Sequence, residues 1–105
     1  MQTINVADTI IENMAYIPGS SLDEKLTNLM VSNFSLQLRE CEEAIFRFEA
    51  KYGMGFAEFT NSFETGEVDR YAHEIERDFM EWEGFCDERG RMLSSIREMR
   101  RRICC

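Results

Sequence analysis

From Ser21 to Gly53 the chain reads SLDEKLTNLMVSNFSLQLRECEEAIFRFEAKYG, and this stretch decides the fold. Leu26, Met30, Phe34, Leu38, Cys41, Ile45, Phe48 and Tyr52 recur every three or four residues. That spacing puts them on one side of an α-helix of about seven turns. Ser21 and Glu24 form a capping box at its start, where the Ser side chain satisfies an otherwise unpaired backbone N–H. Gly53 suits the left-handed residue that ends a helix. An apolar stripe this long needs a partner of similar length.

The partner lies downstream. Phe56, Phe59 and Phe63 form the apolar face of a short helix closed by Gly66. From about Asp69, a second long helix carries Tyr71, Ile75, Phe79, Trp82, Cys86, Leu93, Ile96 and Met99. Two matching stripes joined through a short helix predict an antiparallel, coiled-coil-like helical hairpin. Gly84 and Gly90 inside the last helix each cost about 1 kcal/mol relative to Ala, so they mark close packing or a bend.

Upstream, Met1-Gln-Thr-Ile-Asn-Val-Ala7 alternates polar and apolar side chains, the period of a half-buried strand. Asp8 or Thr9 offers an N-cap, with Thr9 and Glu12 spaced as a capping box. Ile10, Ile11, Met14 and Ile17 then follow helical spacing until Pro18-Gly19. The fold class expected is therefore mainly α, a short N-terminal β-strand followed by a long helical hairpin.

Composition agrees. Of 105 residues, 44% are hydrophobic and 30% charged, with one Pro, which fits a folded helical chain and excludes a disordered one. The net charge of −8 is uneven. Residues 40–90 hold fifteen acids against five bases, a net of −10, while the tail from Arg91 holds five Arg against Glu98, a net of +4. The middle would attract a basic protein, and any nucleic-acid contact must be local. With no stretch approaching ~20 apolar residues and no basic region leading into an apolar run at the N-terminus, a cytoplasmic protein without membrane contact is expected.

No enzyme constellation emerges. His73-Glu74 has Arg77 where a metalloprotease helix needs its second His, and no Glu-x-x-His pair accompanies Glu40-x-x-Glu43 or Asp78-x-x-Glu81. These acids read as solvated helix faces. Neither a metal nor another cofactor is implied, and Cys41 and Cys86 read as buried, inert thiols. Phe56, Phe59, Phe63 and Trp82 are core residues or interface anchors. Because so small a chain has more large side chains than it easily buries, they are the candidate partner-binding residues.

Two resemblances sharpen these expectations. Residues 1–40 combine the alternating strand with Thr3 and Asn5, a helix with Ile10, Ile11 and Met14, the Gly19-Ser20-Ser21 turn, and a helix with Leu22, Leu26, Leu29 and Met30. This resembles a ribbon-helix-helix DNA-binding module. It implies a homodimer whose paired strands turn Thr3 and Asn5 toward base edges, with Ser20 and Ser21 at a helix N-terminus facing a phosphate. The strand carries no Lys or Arg, so it would supply no phosphate-pairing charge of its own.

From Leu36 to Arg102, Leu38-Arg39-Glu40, Phe48-Glu49-Ala50-Lys51-Tyr52-Gly53-Met54, Phe63-Glu64-Thr65-Gly66-Glu67 and Met80-Glu81-Trp82-Glu83 appear in order. The series resembles small helical prokaryotic antitoxins encoded beside small toxins. Together the two imply a type II antitoxin: residues 1–40 as a dimerising, operator-binding module and residues 41–105 as a helical toxin-binding region. The alternative is a non-catalytic scaffold or adaptor that dimerises through its N-terminal strand.

Overall fold

The computed structural model describes the backbone of residues 6–69 and 71–104, with side chains through Arg102. Four α-helices account for most of them: α1 (Asp8–Asn13), α2 (Leu22–Tyr52), α3 (Phe56–Thr65) and α4 (His73–Cys104), with one 3-10 turn at Met14–Tyr16. α2 and α4 pack along most of their length. Their order is antiparallel, since Asp23 meets Arg102, Glu42 meets Arg89, and Lys51 meets Asp78 and Glu74. The expected hairpin is present, and the division between residues 40 and 41 falls inside the unbroken α2.

Local chemistry explains the boundaries of α2. The Ser21 side chain accepts from the Glu24 backbone N–H at 3.1 Å, as the capping box requires. The Glu24 carboxylate accepts instead from the Ser20 hydroxyl at 2.8 Å. Gly53 sits at φ 68°, where L side chains are strained, and its N–H returns to the Glu49 carbonyl. α3 then starts at Phe56 without a side-chain cap, because Gly55 holds the N-cap position.

Several expectations are corrected. α1 begins at Asp8, one residue before the proposed Thr9 box, with Ala7 at the N-cap and no side-chain cap bond. It is a six-residue helix that buries none of its own residues. α4 begins at His73 rather than near Asp69, because the Asp69 carboxylate and carbonyl accept from the N–H groups of Tyr71 and Ala72 and hold a turn there. Gly84 and Gly90 mark no close packing, since a Cβ at either would meet nothing within 4 Å. Of the expected strand, residues 1–5 lie outside the described residues, and Val6 and Ala7 belong to neither strand nor helix. No strand occurs among the described residues.

The segment from Met14 to Gly19 is tied onto α2. Lys25 Nζ donates to the Met14 carbonyl at 2.9 Å and Asn28 Nδ2 to the Pro18 carbonyl at 2.8 Å. Gly19 permits the approach: a Cβ there would lie 2.9 Å from the Lys25 backbone nitrogen.

The molecule is elongated, 57 × 29 × 27 Å, with a radius of gyration of 19.7 Å. A compact chain of this length would have about 13 Å. Two long helices alone cannot surround a core, so burial concentrates where α3 adds a third wall. That closed end holds Phe59 and Trp82, both 0% exposed, whereas the opposite, open end buries the smaller set of Met14, Thr27 and Ile96. Among the described residues, no helix is long and apolar enough to cross a membrane.

Candidate functional site: an aromatic, acidic closed end and an apolar open end

Trp82 organises the closed end. Phe48 and Tyr52 from α2 stack on its indole at 5.5 and 5.9 Å, while Phe56 and Phe59 from α3 approach at 5.3 and 5.0 Å in tilted geometry. Phe63 stacks on Phe79 at 4.5 Å. Contacts of this kind add about 0.5–1.5 kcal/mol per pair beyond burial itself. The four residues proposed as partner anchors are thus brought together, but into this chain's own core. Phe59 and Trp82 are sealed, and Phe56 and Phe63 are half-buried. Phe59 and Trp82 therefore support the surface from beneath, and Phe56 and Phe63 contribute part of it.

A polar cluster sits against the aromatic core. Asp78 Oδ2 accepts from Lys51 Nζ at 2.6 Å and from the Tyr52 hydroxyl at 2.5 Å, and Lys51 also reaches Glu74 at 2.7 Å. Asp78 is only 8% exposed, so the reading of Asp78-x-x-Glu81 as a solvated face holds for Glu81 and fails for Asp78. Burial works to raise the Asp78 carboxyl, but hydrogen bonds from Lys51 and Tyr52 outweigh it and hold it below the ordinary range. Burial, reinforced by the bond to Asp78, pushes the Tyr52 phenol up to about 12. Lys51 is raised as well, by its bonds to Asp78 and Glu74. This is a structural lock between α2 and α4.

Sequence spacing could not reveal this lock, because Lys51 and Asp78 are 27 positions apart and meet only once the hairpin register is set. Around it, Glu49, Glu58, Glu64, Glu74, Glu81 and Glu83 point to solvent. The acidic middle of the chain is therefore displayed on a rigid, aromatic-filled end. Among the described residues no group of three His, Cys, Asp or Glu side chains could hold a metal ion. Cys41 is buried and Cys86 partly so; burial, then nearby carboxylates, raises both thiols and keeps them protonated near neutrality.

Thr3 and Asn5 lie outside the described residues. Ser20 and Ser21 are engaged by Glu24, whose carboxylate with Asp23 already supplies negative charge to the N-terminus of α2. A phosphate there would meet those two acids. A second feature was missed by the sequence reading: the thirteen residues from Leu26 to Leu38 carry no charge, although the outer side of α2 faces water. Leu22, Leu26, Leu29 and Leu36 are 52, 42, 49 and 51% exposed. The signal available was the absence of charge, not the presence of a motif.

No protein-family model, curated protein or solved structure matches this chain.

Proposed function

We propose that the protein is a non-catalytic antitoxin of the type II kind, which neutralises a small basic protein toxin by stoichiometric binding. The observation that carries this reading is the closed end, where a net charge of −10 within residues 40–90 is held on a core of stacked aromatics. A rigid surface of one sign loses little conformational freedom on binding and accelerates encounter with a partner of opposite sign. The ordered motifs between Leu38 and Glu83, which resemble antitoxins, supply the class of partner. Cytoplasmic location and autorepression through Thr3 and Asn5 belong to the same reading. The alternative of a helical scaffold draws support from the exposed leucines of α2, which serve association and not inhibition.

Co-purification of the full chain with the product of an adjacent gene encoding a small basic protein tests the proposal. A complex should form at low salt and protect cells from that protein. Its association rate should fall about tenfold or more as salt rises, because exposed charges are screened. Changing Glu58, Glu64 and Glu83 to Lys should slow association further without altering the melting temperature. A folded chain that forms no complex with such a protein at low salt would leave the scaffold reading in its place.

A further inference from the structure

α2 carries two apolar stripes, and the hairpin uses one. Thr27, Cys41 and Ala44 are buried on the side facing α4, with Phe48 and Tyr52 continuing the line to Trp82. Leu22, Leu26, Leu29, Asn33 and Leu36 follow alternating steps of four and three residues on another side, about 95° round the helix, with Leu26 at the edge the two stripes share. Steps of four and three are the spacing of a coiled-coil seam, with Asn33 as its single polar position. The segment from Met14 to Gly19 binds α2 through Lys25 and Asn28, beside the seam, and leaves Leu22, Leu26 and Leu29 about half-exposed.

We infer that this seam is the contact between two copies of the chain. Three observations select a second copy as the occupant. The first is charge. Two chains of net −8 repel through their acidic closed ends, whereas the stretch from Leu26 to Leu38 is uncharged and lets like chains meet without opposing charge. The second is self-complementarity. A leucine seam with one Asn and no charge within that run has no ionic pattern with which to choose a different helix, but it matches its own copy about a two-fold axis. The third is area. The chain exposes 7977 Å². A compact monomer of this mass would expose about 6,100 Å², and the surplus exceeds the ~800 Å² per partner that a stable interface requires.

The contact differs from a β-ribbon dimer, which would use residues 1–7, and it does not depend on the antitoxin reading, since no toxin enters the test. Sedimentation equilibrium of the full chain should give twice 12.4 kDa at about 100 µM protomer and a mass falling on dilution. Leu29→Glu with Leu36→Glu should weaken association more than ~100-fold, because each charge would be buried twice across the axis. Both positions are half-exposed in the single chain, so helical circular dichroism should not change. Asn33→Leu should tighten the dimer about tenfold or more by removing the polar seam position. A wild-type chain that remains 12.4 kDa at that concentration overturns the inference. So does a dimer that survives the double Glu substitution, which would place the contact elsewhere.

Discussion

Replacing Asp78 with Ala removes the shared acceptor of Lys51 and Tyr52, and the structure allows the cost to be assembled from parts. The Tyr52 hydroxyl loses a 2.5 Å bond to a carboxylate, at the tip of a ring stacked on the buried Trp82. Bonds to charged groups contribute about 1.5–3 kcal/mol. Lys51 loses its 2.6 Å partner but keeps Glu74 and stays 43% exposed, so solvent screening leaves that half of the cluster a minor part of the cost. The cost is then set by the Tyr52 bond, about 1.5–3 kcal/mol, or roughly 10 °C in melting temperature for a domain of this size. Tyr52→Phe should cost about 1.5 kcal/mol, and the Asp78→Ala, Tyr52→Phe pair should cost less than the two added together. Urea unfolding of the four proteins measures this coupling, and strict additivity would refute the lock. Proton linkage supplies a second check. The Asp78 carboxyl is lowered on folding, so its contribution is present above its unfolded pKa near 4 and is lost as pH falls through the folded value. Wild type and Asp78→Asn should therefore converge in acid. The Tyr52 phenol is raised to about 12, so its contribution holds below about pH 10 and is lost as pH climbs through the folded value. Tyr52→Phe should abolish that alkaline loss.

Trp82→Ala should destabilise the chain by about 3–5 kcal/mol in denaturant titration, as a fully buried indole leaves a large cavity. Trp82→Phe should cost much less, since it keeps a ring and deletes an indole N–H that is buried without a hydrogen-bond partner. Gly90→Ala should raise stability by about 0.8–1 kcal/mol in thermal melts, because the added methyl meets nothing within 4 Å of a helical backbone. Ser21→Ala should lower it by about 1 kcal/mol through loss of the cap on the Glu24 N–H, and Ser21→Asp should restore most of that.

The helices were legible because burial on one side imposes a 3.6-residue period, and that period was strong in α2 and α4. Capping was legible where a single residue decides it, as at Ser21 and Gly53. It failed at Thr9 because α1 buries nothing, so no packed face was present to fix where the helix starts. Gly84 and Gly90 misled for a related reason. Glycine has the same propensity cost whether its bare backbone faces a neighbour or open solvent, and only the packing distinguishes the two. The Asp78 lock was out of reach because side chains 27 positions apart become neighbours through helix register, which apolar spacing sets only to within a turn. The anchors were read from composition, where Phe and Trp at a core and at an interface look alike. Their place became clear when α3 supplied a third wall and closed over Trp82.

That third wall separates stability from recognition along the same two helices. At the closed end, α3 lets large rings become fully buried, so substitutions there should act mainly on folding. At the open end, α2 and α4 meet with only the short Met14–Gly19 segment tied beside them, and the outer leucines of α2 stay in water. If folding alone had shaped that outer face, charged residues would serve it better: the next thirteen positions, Arg39 to Lys51, hold seven of them. The uncharged run from Leu26 to Leu38 loosens no internal packing, and it incurs the solubility cost of exposed apolar surface in a chain that otherwise carries abundant charge. A helix that bears charge on one half and excludes it from the other presents two different surfaces, and the inferred contact between two copies would use the uncharged one. Changes to the outer leucines should therefore alter association while leaving the melting transition of the single chain in place, the opposite of changes around Trp82.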